Sequence, residues 1–388
     1  MKIALIGTRG VPARYGGFET AVDEVGRRLA KSGHDVTVYC RTPKGQDRPA
    51  EYEGMKLVHL PALKKKSLET LSHTLLSVLH AMFRRRFDAV IVFNAANAPF
   101  LPLLRLRRIP VATHVDGLEW RRAKWQGLGR KYYRWAEAAS VRWSDGLIAD
   151  AQGIADYYDA EFSVPTELIA YGAPVIGSEQ SDRVEELGLT SNGYHLVVAR
   201  FEPENHVDVI VDGYVRSDCR LPLIVVGSAP YADEYIAKIH ALADDRVRFL
   251  GGVWDQDLLD QLYGNALTYL HGHSVGGTNP SLLRAMGAGA PTIAYNVGFN
   301  REVLGVSGRY FLGATDLAVE LMESEADLPA TLRRGTLAQH EATRYDWDDV
   351  ASRYEALCLK LAGRGGRKRR SERPSGRRNG IDVDQLLG

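Results

Sequence analysis

The sequence predicts an α/β protein built from two successive parallel sheets covered by helices. Short apolar runs rich in β-branched residues alternate with longer amphipathic segments along most of the 388 residues. A polar, turn-rich stretch interrupts this pattern at 176–192, and the alternation then begins again. The two series of alternation predict two facing Rossmann-like domains with a cleft between them. Ligands of such sheets bind beyond the carboxyl ends of the strands, which places a ligand in that cleft.

The first series of elements runs from the N-terminus to about residue 175. Its predicted strands are the apolar runs KIALIG, HDVTVYC, DAVIVFN, PVATHV, GLIAD and TELIAYG. Amphipathic helices are predicted over 20–32 and 67–83, where apolar residues recur at helical spacing. The second of these helices has basic residues at both ends, so one face is suited to lie on a membrane while the other packs inward.

The second series follows the interruption. Its predicted strands are YHLVVAR, LPLIVVG, RVRFLG, ALTYLH and PTIAYN, and its predicted helices cover 207–217, 232–243 and 256–264. The domains are therefore predicted as 1–175 and 193–345, joined by the linker 176–192. One more amphipathic helix is predicted over 346–362. The basic stretch 363–388 has almost no apolar residues and is predicted to be a disordered tail.

The composition argues against an exported or membrane-spanning protein. The three widely spaced cysteines form neither a disulfide framework nor a zinc-binding pattern, which fits a reducing, cytoplasmic setting. The N-terminal apolar run is short, and no stretch approaches the roughly 18 apolar residues of a membrane span. We therefore expect neither an export signal nor a transmembrane helix.

Charge is distributed unevenly along the chain. Residues 1–180 contain 26 Lys and Arg against 19 Asp and Glu, residues 181–363 contain 15 against 26, and residues 364–388 contain 8 against 3. The basic clusters at 64–66, 84–86 and 105–108 favour an anionic membrane surface as a partner. A solvated basic surface without a partner is the alternative. Nucleic acid is not expected, because no recognised nucleic-acid module accompanies the charge.

A glycine loop set directly before a helix is the most informative motif. In HGHSVGGTNPSLLRAMGAG at 271–289, Gly276 and Gly277 allow a ligand to approach the main chain, while Asn279 and Pro280 suit the start of a helix. A helix start binds anions, and a diphosphate is the commonest biological ligand of this kind. An ordinary loop-to-helix junction is the alternative interpretation.

A second glycine loop follows the first predicted strand. In GTRGVPARYGGFET at 7–20, Gly16 and Gly17 precede the next helix, but the loop is too long for a dinucleotide-binding GxGxxG motif. A plain strand-to-helix turn is the alternative here. Because each domain has one such loop, we expect a ligand that binds in the cleft and contacts both loops.

These segments resemble bacterial retaining glycosyltransferases of the GT-B class, family 4. More narrowly, the chain is similar to the subgroup with the GTRGVPARYGGFET motif, which includes rhamnosyltransferases of polysaccharide assembly. The resemblance covers about residues 1–360, and the basic tail lies outside it. It rests on further blocks in the same order, namely HVDGLEWRRAKW, DGLIADAQGI, ELIAYGA, VVARFEPEN, HGHSVGGTNPSLL and FNREVLG.

The resemblance implies a retaining, metal-independent hexosyltransferase that uses no cofactor. It implies a nucleotide-diphosphate sugar as donor, with dTDP-rhamnose as the first candidate, and a lipid-linked or glycan acceptor in cell-surface polysaccharide synthesis. The implied location is cytoplasmic, peripheral at the inner face of the plasma membrane. The alternatives are a catalytically silent relative that acts as a nucleotide-sugar-binding or scaffold protein, and a nucleotide-sugar epimerase.

The resemblance places the donor mainly on the C-terminal domain. Arg200 matches a family arginine that binds the donor diphosphate, where a guanidinium neutralises the charge that builds on the leaving group; a structural arginine is the alternative. Asn205 stands at the position of a family lysine. Gly276 and Arg284 stand at the positions of two family glutamates, so Arg284 either reaches the diphosphate or marks a weakened activity. For Glu302, capping of the following helix is the alternative. The expected donor-binding residues are Gly16, Gly17, Arg200, Asn205, Gly276, Gly277, Thr278, Asn279, Ser281, Arg284, Asn300 and Glu302.

The resemblance places the acceptor mainly on the N-terminal domain. Asp116 or Glu119 can orient or deprotonate an acceptor hydroxyl, and Trp120 offers an apolar face to a sugar ring. The alternatives are a satisfied core role for His114, an ion pair between Glu119 and a neighbouring arginine, and proton transfer to the departing phosphate itself. The expected catalytic residues are His114, Asp116, Glu119 and Arg200. The expected acceptor-binding residues are Arg14, Tyr15, Phe18, Glu19 and Trp120.

Overall fold

The computed structural model describes residues 1–13, 16–41, 45, 47–63, 68–84, 86–115, 117–122, 125–177, 180–227, 233–365 and 376–380. Within these ranges the chain forms two compact units. The first comprises residues 1–171 together with the described residues from 347 onward, and the second comprises residues 172–346. Each unit contains a sheet whose successive strands are joined largely through helices.

The described sheet of the first unit is predominantly parallel. Its strands are β1 (Lys2–Ile6), β2 (Asp35–Cys40), β3 (Glu51–Tyr52), β4 (Met55–His59), β5 (Ala89–Phe93), β6 (Val111–His114), β7 (Gly146–Ala149) and β8 (Glu167–Leu168). Their spatial order is β3-β4-β2-β1-β5-β6-β7-β8, with β3 and β4 antiparallel. The helices between them are α1 (Gly17–Lys31), α2 (Glu69–Arg84), α3 (Leu101–Leu106), α4 (Leu128–Trp143) and α5 (Gln152–Phe162).

The described sheet of the second unit is parallel. Its strands are β9 (His195–Val198), β10 (Leu223–Val226), β11 (Val247–Gly251), β12 (Thr268–His271), β13 (Thr292–Tyr295) and β14 (Arg309–Phe311), in the spatial order β11-β10-β9-β12-β13-β14. Its helices are α6 (Asp182–Glu186), α7 (Val207–Arg216), α8 (Asp233–Leu242), α9 (Gln256–Gly264), α10 (Pro280–Gly287), α11 (Gly298–Leu304), α12 (Ala314–Ala326) and α13 (Leu328–Ala342).

Apolar periodicity explains how these elements pack. Helix α7 buries Val207, Ile210, Val211 and Tyr214, which follow one another at helical spacing and line the core against the second sheet. All five residues of β5 are buried, as expected of a central parallel strand covered on both faces. This packing holds the carboxyl ends of the strands in place, and the loops there present the polar side chains.

Several elements differ from the sequence prediction, and the short strands β3 and β14 were not predicted. Helix α1 begins at Gly17 rather than at residue 20, and the predicted strand TELIAYG is reduced to the two residues of β8. Strand β4 was not predicted, although it pairs in parallel with β2. In its sequence, MKLVH, only Met55 and Leu57 are buried, because β4 lies near the outer end of the sheet and is only partly covered.

The predicted linker 176–192 is built into the second unit. It contains α6, whose Arg183 backbone N–H donates to Gln261 of α9 over 2.9 Å. Gln261 in turn donates to Asp182 over 2.8 Å. The stretch is polar because it lies on the surface. Its hydrogen bonds to α9 give it a defined position, which its turn-forming residues alone do not predict.

The C-terminal helix α14 (Trp347–Gly365) belongs to the first unit, although it follows the second unit in sequence. The Asp348 carboxylate accepts from Arg28 of α1 over 2.6 Å, and Glu355 contacts the His34 ring over 2.7 Å. The amphipathic pattern predicts the helix itself, but it carries no information about which core the apolar face joins.

Part of the predicted disordered tail has a defined position. Residues 376–380 lie against the first unit, where Arg378 forms ion pairs with Glu137 of α4 and Glu161 of α5. Asn379 donates to the carbonyl oxygen of Ala160 over 2.6 Å. The low apolar content of the tail suggested disorder, but two buried carboxylates supply the binding energy that apolar burial would otherwise provide.

Candidate functional site

His114 lies at the carboxyl end of β6 within an aromatic stack. Its ring is stacked on Phe93 at a centroid distance of 5.4 Å and on Tyr171 at 5.9 Å, while the Phe18 ring approaches edge-on at 5.1 Å. The His114 side chain is fully buried, and neither ring nitrogen makes a hydrogen bond of acceptable geometry within the described part of the chain. A buried imidazole with so few polar contacts among the described residues is a candidate for contact with a ligand hydroxyl.

Burial also sets the protonation state of His114. Burial lowers the pKa of this imidazole to about 3, although the nearby backbone of Val115 acts in the opposite direction. The ring is therefore neutral at pH 7, with one nitrogen donor and one acceptor. An imidazole of such low pKa is a poor general base, whereas it is well suited to hold a sugar hydroxyl in a fixed orientation.

The predicted acceptor residues that the structure describes lie around this stack and the first glycine loop. Phe18 of α1 contacts both His114 and Phe93. Glu19 accepts the backbone N–H of Arg9 over 3.0 Å and so fixes the loop. Gly16 has φ of 102°, and a Cβ there would lie 2.4 Å from the Glu19 carboxylate, so only glycine fits. Gly17 begins α1.

Glu119 and Trp120 are placed by local contacts. The Glu119 carboxylate pairs with Arg122 over 2.6 Å and accepts from the Trp125 indole over 3.0 Å, which is the structural role weighed against catalysis. Trp120 is buried, with the guanidinium groups of Arg130 and Arg134 about 5 Å from its ring. The two guanidinium groups thus lie next to the Trp120 ring, which the sequence analysis predicted to contact a sugar ring.

Three predicted residues, namely Arg14, Tyr15 and Asp116, lie outside the described residues. Sequence analysis missed Asn97 and Tyr171 in this group. Asn97 is fully buried and donates to the Phe93 carbonyl over 2.8 Å, and its side-chain oxygen has no partner among the described residues. Tyr171 was missed because it lies in a segment interpreted as a strand, where an aromatic residue has an ordinary core role.

The second glycine loop adopts the predicted junction. Asn279 is the N-cap of α10, and its side chain accepts the Ser281 backbone N–H over 3.0 Å, with Pro280 in the first turn. Ser281 also receives a hydrogen bond from the Tyr269 hydroxyl over 3.0 Å. Gly276 has φ of 142° with open space around it, while Gly277 and Thr278 are buried. The N-terminus of the eight-residue helix α10 therefore directly follows a loop that has open space at Gly276.

Arg200 lies on a loop that is hydrogen-bonded to the glycine loop. The Arg200 side chain is 36% exposed, and its guanidinium lies 3.5 Å from Glu202. Its carbonyl oxygen accepts from Asn205, which is itself buried, over 2.9 Å. The Glu204 carbonyl accepts both the backbone N–H and the hydroxyl of Ser274, at 2.9 and 3.1 Å. Asn205 therefore supports the loop backbone rather than presenting a cation.

Asn300 joins a third loop to the same edge of the second sheet. It is fully buried in α11 and donates to the carbonyl oxygens of His273, over 2.9 Å, and Tyr295, over 2.8 Å. Glu302 is the fifth residue of α11 and is exposed. The capping alternative for Glu302 is wrong, because Val297 occupies the N-cap position.

Arg284 forms an ion pair that the sequence does not reveal. Its guanidinium contacts the Asp260 carboxylate of the neighbouring helix α9, with both side chains about one quarter exposed. The arginine at the position of the family glutamate is thus accompanied by an acidic residue from another element.

Three histidines beside the glycine loop complete this group. His271 ends β12 and, like His273, is buried, whereas His206 is half-buried at the N-cap of α7. His271 and His273 are stacked at 4.4 Å, and burial lowers the pKa of His271 to about 3. His206 is stacked on Tyr295 at 4.1 Å and contacts the Gly272 carbonyl over 2.8 Å. The HGH pattern beside the glycine loop was the available signal for these residues, but a histidine at a strand end is as often a core residue.

A set of metal-ligand side chains occurs elsewhere in the second unit. Ligand atoms of His195, Cys219 and Glu325 lie within 4.8 Å of one another. His195 is the first residue of β9 and so lies at the sheet edge opposite the glycine loop. Burial raises the pKa of the Cys219 thiol to about 11, and Glu325 accepts the backbone N–H groups of Arg220 and Leu221. These contacts describe a structural hydrogen-bond network, away from the candidate donor site.

Exposed apolar side chains accompany some of the basic clusters in the first unit. Phe83 of α2 is 73% exposed and Leu106 of α3 is 76% exposed. Arg107 and Arg108 follow Leu106 and are exposed, whereas the cluster at 64–66 and Arg85 lie outside the described residues. The described helices include none that is both long enough and apolar enough to cross a membrane.

Comparison with known proteins supports the fold. Residues 1–174 match the family model described as "Domain of unknown function (DUF1972)", and residues 179–320 match the model "Glycosyl transferases group 1". O-antigen chain mannosyltransferase C from Escherichia coli is 24% identical over 63% of this chain, and the chain spans 66% of that relative's length.

Solved structures extend the comparison along the chain. Sucrose-phosphate synthase from Thermosynechococcus elongatus is similar with a TM-score of 0.80 and 21% identity, covering 93% of this chain and 99% of that one. HepE from Anabaena in complex with UDP-glucose gives a TM-score of 0.75 and 18% identity, covering 93% and 100%. The chain therefore has the GT-B fold, with two Rossmann-like α/β domains, and this prediction from the sequence is confirmed.

Proposed function

We propose that the protein is a glycosyltransferase that moves a sugar from a nucleotide-diphosphate donor to a lipid-linked or glycan acceptor in cell-surface polysaccharide synthesis. The observation that carries this proposal is the pair of loops at one edge of the second sheet, where the Arg200 loop and the glycine loop before α10 are hydrogen-bonded through Glu204 and Ser274. The match of residues 179–320 to a glycosyltransferase model supports it.

The donor diphosphate would bind between Arg200 and the start of α10. Gly276 leaves open space in which phosphate oxygens can approach the main chain, and the positive end of the helix dipole favours their charge. The Arg200 side chain is 36% exposed, and its guanidinium lies 3.5 Å from the Glu202 carboxylate. As the bond between sugar and phosphate breaks, negative charge grows on the leaving group, and a fixed guanidinium stabilises that charge more in the transition state than in the ground state.

The acceptor would bind mainly to the first unit near His114. The neutral imidazole would orient a hydroxyl, because burial keeps its pKa far below 7. The Glu119 carboxylate is held by Arg122 and Trp125. We therefore propose that Glu119 positions these two side chains and does not take the acceptor proton. The departing phosphate would take the acceptor proton, which fits a retaining, metal-independent transfer without a dedicated protein base.

The transferred sugar is proposed as a hexose, with rhamnose from dTDP-rhamnose as the first candidate because of the GTRGVPARYGGFET resemblance. Mannose is the second candidate, since a relative of this chain is named an O-antigen chain mannosyltransferase. We also propose that the protein acts at the inner face of the plasma membrane, where exposed Phe83 and Leu106 would enter an anionic lipid surface.

Donor binding and turnover test the proposal. Purified protein is titrated with dTDP-rhamnose, GDP-mannose and UDP-glucose in a thermal-shift and calorimetric panel, with the free nucleotides as controls. Selective binding of one donor, followed by transfer of its sugar to a membrane glycolipid extract, would support the function. Binding without transfer would favour the silent relative, and conversion of the donor sugar without an acceptor would favour the epimerase.

A matched pair of variants tests the role of Arg200. Arg200→Ala should reduce turnover by roughly 100-fold to 1,000-fold, as expected for removal of one group that stabilises transition-state charge. Arg216→Ala is the control, because Arg216 is exposed in the same unit and pairs only with Asp212 in its own helix among the described contacts. Equal turnover in both variants would remove Arg200 from the donor site.

A further inference from the structure

Three metal-ligand side chains meet at the amino edge of the second sheet, each from a different element. His195 is the first residue of β9, Cys219 lies in the loop between α7 and β10, and Glu325 is the penultimate residue of α12. One ligand atom from each residue lies within 4.8 Å of the other two. An imidazole nitrogen, a thiolate sulfur and a carboxylate oxygen are the ligand types that proteins use to bind zinc.

The spacing of the ligand atoms suits a shared cation. His195 Nε2 lies 3.1 Å from Glu325 Oε1, and the Cys219 thiol also makes a side-chain hydrogen bond with Glu325. Zinc bonds to nitrogen and oxygen of roughly 2.0–2.2 Å, at tetrahedral angles, separate two such atoms by about 3.3–3.6 Å. The bond from zinc to sulfur is longer, so the thiol can lie slightly further away. A zinc ion between the three atoms therefore requires only small side-chain movements.

The outer contact of His195 is the one that metal-binding histidines usually make. The ring is fully buried, and Nδ1 lies 2.7 Å from the Thr268 hydroxyl. When Nδ1–H donates to Thr268, Nε2 presents a lone pair toward the Glu325 carboxylate, and a cation between the two acceptors satisfies both. Without the metal, Nε2–H donates to Glu325 and the Thr268 hydroxyl donates to Nδ1. The metal thus replaces one proton in a network that is otherwise unchanged.

The other two ligands are also held in place. The Glu325 carboxylate accepts the backbone N–H groups of Arg220 and Leu221, each over 3.0 Å. The Arg246 guanidinium donates to the Cys219 carbonyl oxygen over 2.8 Å, and its charge is paired with Asp244 over 2.7 Å. Such contacts orient ligands before the metal binds.

Solvent reaches the three ligands from the side of Glu325. Its side chain is 17% exposed, whereas that of His195 is fully buried. This opening gives an ion a path to the ligands and leaves room for a water molecule as the fourth ligand of a tetrahedral ion.

We propose that His195, Cys219 and Glu325 bind a zinc ion that joins the start of β9, the loop before β10 and the end of α12. Binding releases the thiol proton of Cys219 to solvent, and the thiolate and carboxylate charges then balance the charge of Zn²⁺. His195 and Glu325 are 130 residues apart in the sequence, so no short zinc motif indicates the site. The ion lies at the edge of the sheet opposite the Arg200 loop and has a structural role, independent of the proposed glycosyl transfer.

Zinc titration of the metal-free, full-length protein tests this proposal. The parent should bind one Zn²⁺ per chain by calorimetry, and its thermal midpoint should rise with Zn²⁺ but not with Mg²⁺, which prefers oxygen ligands. Cys219→Ser should weaken zinc affinity by more than about 100-fold, since loss of a direct ligand exceeds the effect of losing an outer contact. Cys358→Ser is the matched control, because Cys358 is a buried free cysteine of the first unit. Equal zinc affinity in the two variants would overturn the site.

Cobalt substitution identifies the ligands directly. The parent and Cys358→Ser should develop thiolate-to-cobalt charge-transfer absorption when Co²⁺ is added, and Cys219→Ser should not. If Cys219→Ser does not fold, Glu325→Gln provides the same affinity test with the thiolate intact. Thr268→Val should weaken zinc affinity roughly tenfold, because the outer partner of the imidazole is lost. A parent protein without thiolate-to-cobalt absorption would contradict the proposal.

Turnover separates a structural ion from a catalytic one. Removal of zinc should lower the thermal midpoint and leave kcat with the nucleotide-sugar donor unchanged at temperatures where the metal-free protein stays folded. A kcat that falls with zinc removal under those conditions would overturn the structural role. If the protein proves to have no transferase activity, zinc binding and its dependence on Cys219 are still measured by calorimetry and cobalt absorption.

Discussion

The Arg378 guanidinium, from a segment of low apolar content near the C-terminus, forms an ion pair with Glu137, whose side chain is only 5% exposed on α4. The same guanidinium reaches Glu161 over 2.7 Å and the Tyr157 hydroxyl over 2.9 Å. Burial raises the pKa of Glu137 to about 7, and the charge and hydrogen bond of Arg378 oppose that rise. The tail segment therefore supplies the countercharge for two carboxylates inside the first unit.

Removal of Arg378 should destabilise the first unit in a pH-dependent way. In Arg378→Ala the pKa of Glu137 should rise further above its usual value, so folding is penalised as pH rises and the carboxyl is forced to ionise. We expect a loss of about 2 kcal/mol at pH 8 and a smaller loss at pH 5, measured by urea unfolding. Arg353→Ala, which removes an exposed arginine of α14 in the same unit, is the control. Adding Glu137→Gln to Arg378→Ala should restore stability, and equal losses at both pH values would contradict this account.

The Arg284–Asp260 pair makes a charge-reversal experiment informative. Arg284→Glu places two carboxylates next to each other and should lower the free energy of unfolding by about 1 kcal/mol, a modest value because both side chains are partly exposed. The double change Arg284→Glu with Asp260→Arg should recover most of that loss. Titration with the donor nucleotide shows whether the position contacts ribose: Arg284→Glu should then bind more tightly. A large loss of affinity in both variants would make Arg284 a phosphate ligand.

Buried neutral histidines should make the protein sensitive to acid. Burial lowers the pKa of His73 to about 4 and the pKa values of His114 and His271 to about 3. The unfolded chain binds protons at these sites near pH 6.5 and the folded chain does not, so stability is complete above pH 6.5 and falls as pH decreases. Each histidine should cost roughly 2 kcal/mol between pH 6.5 and pH 5.

Urea unfolding from pH 7 to pH 5 measures this acid sensitivity. His271→Gln should reduce the loss of stability between pH 7 and pH 5 by roughly 2 kcal/mol, since His271 no longer titrates. His240→Gln changes an exposed histidine and serves as the control. Identical slopes in the parent and in His271→Gln would show that His271 does not contribute.

The apolar tips of α2 and α3 should contribute to membrane binding. Phe83→Ser and Leu106→Ser should each weaken binding to vesicles containing phosphatidylglycerol by about tenfold, because each side chain is largely exposed and would gain most of its transfer free energy in lipid. Val306→Ser changes an 87% exposed residue of the second unit and is the control. Equal binding of all three variants, or binding insensitive to salt, would argue against this surface.

Local sequence patterns predicted much of the candidate donor site. Asn279 and Pro280 start α10 as expected, because capping and proline geometry depend only on neighbouring residues. The alternation also predicts most of the strands in their sequence order, with ends within a few residues of those observed. Strand β4 and the two-residue β8 were not predicted correctly, because at partly covered positions the hydrophobic pattern is too weak to define strand ends.

Contacts between distant residues could not be predicted in this way. The sequence indicated polar residues after PVATHV, but it did not show that His114 would be enclosed by Phe93, Tyr171 and Phe18. Nor did it show that Asn205 supports a carbonyl oxygen or that Glu119 is held by Arg122. Charged side chains form ion pairs with residues that are near in space. The partner of each one depends on which elements the fold brings together.

The sequence by itself determined the two α/β domains, the glycine loops and the helix that starts behind the second loop, because each of these is encoded by periodicity and by the backbone preferences of adjacent residues. Only the tertiary structure decided that α14 joins the first unit and that Arg378 pairs with Glu137. Burial and charge pairing are properties of the assembled unit, and they fix pKa values and binding chemistry that no local pattern contains.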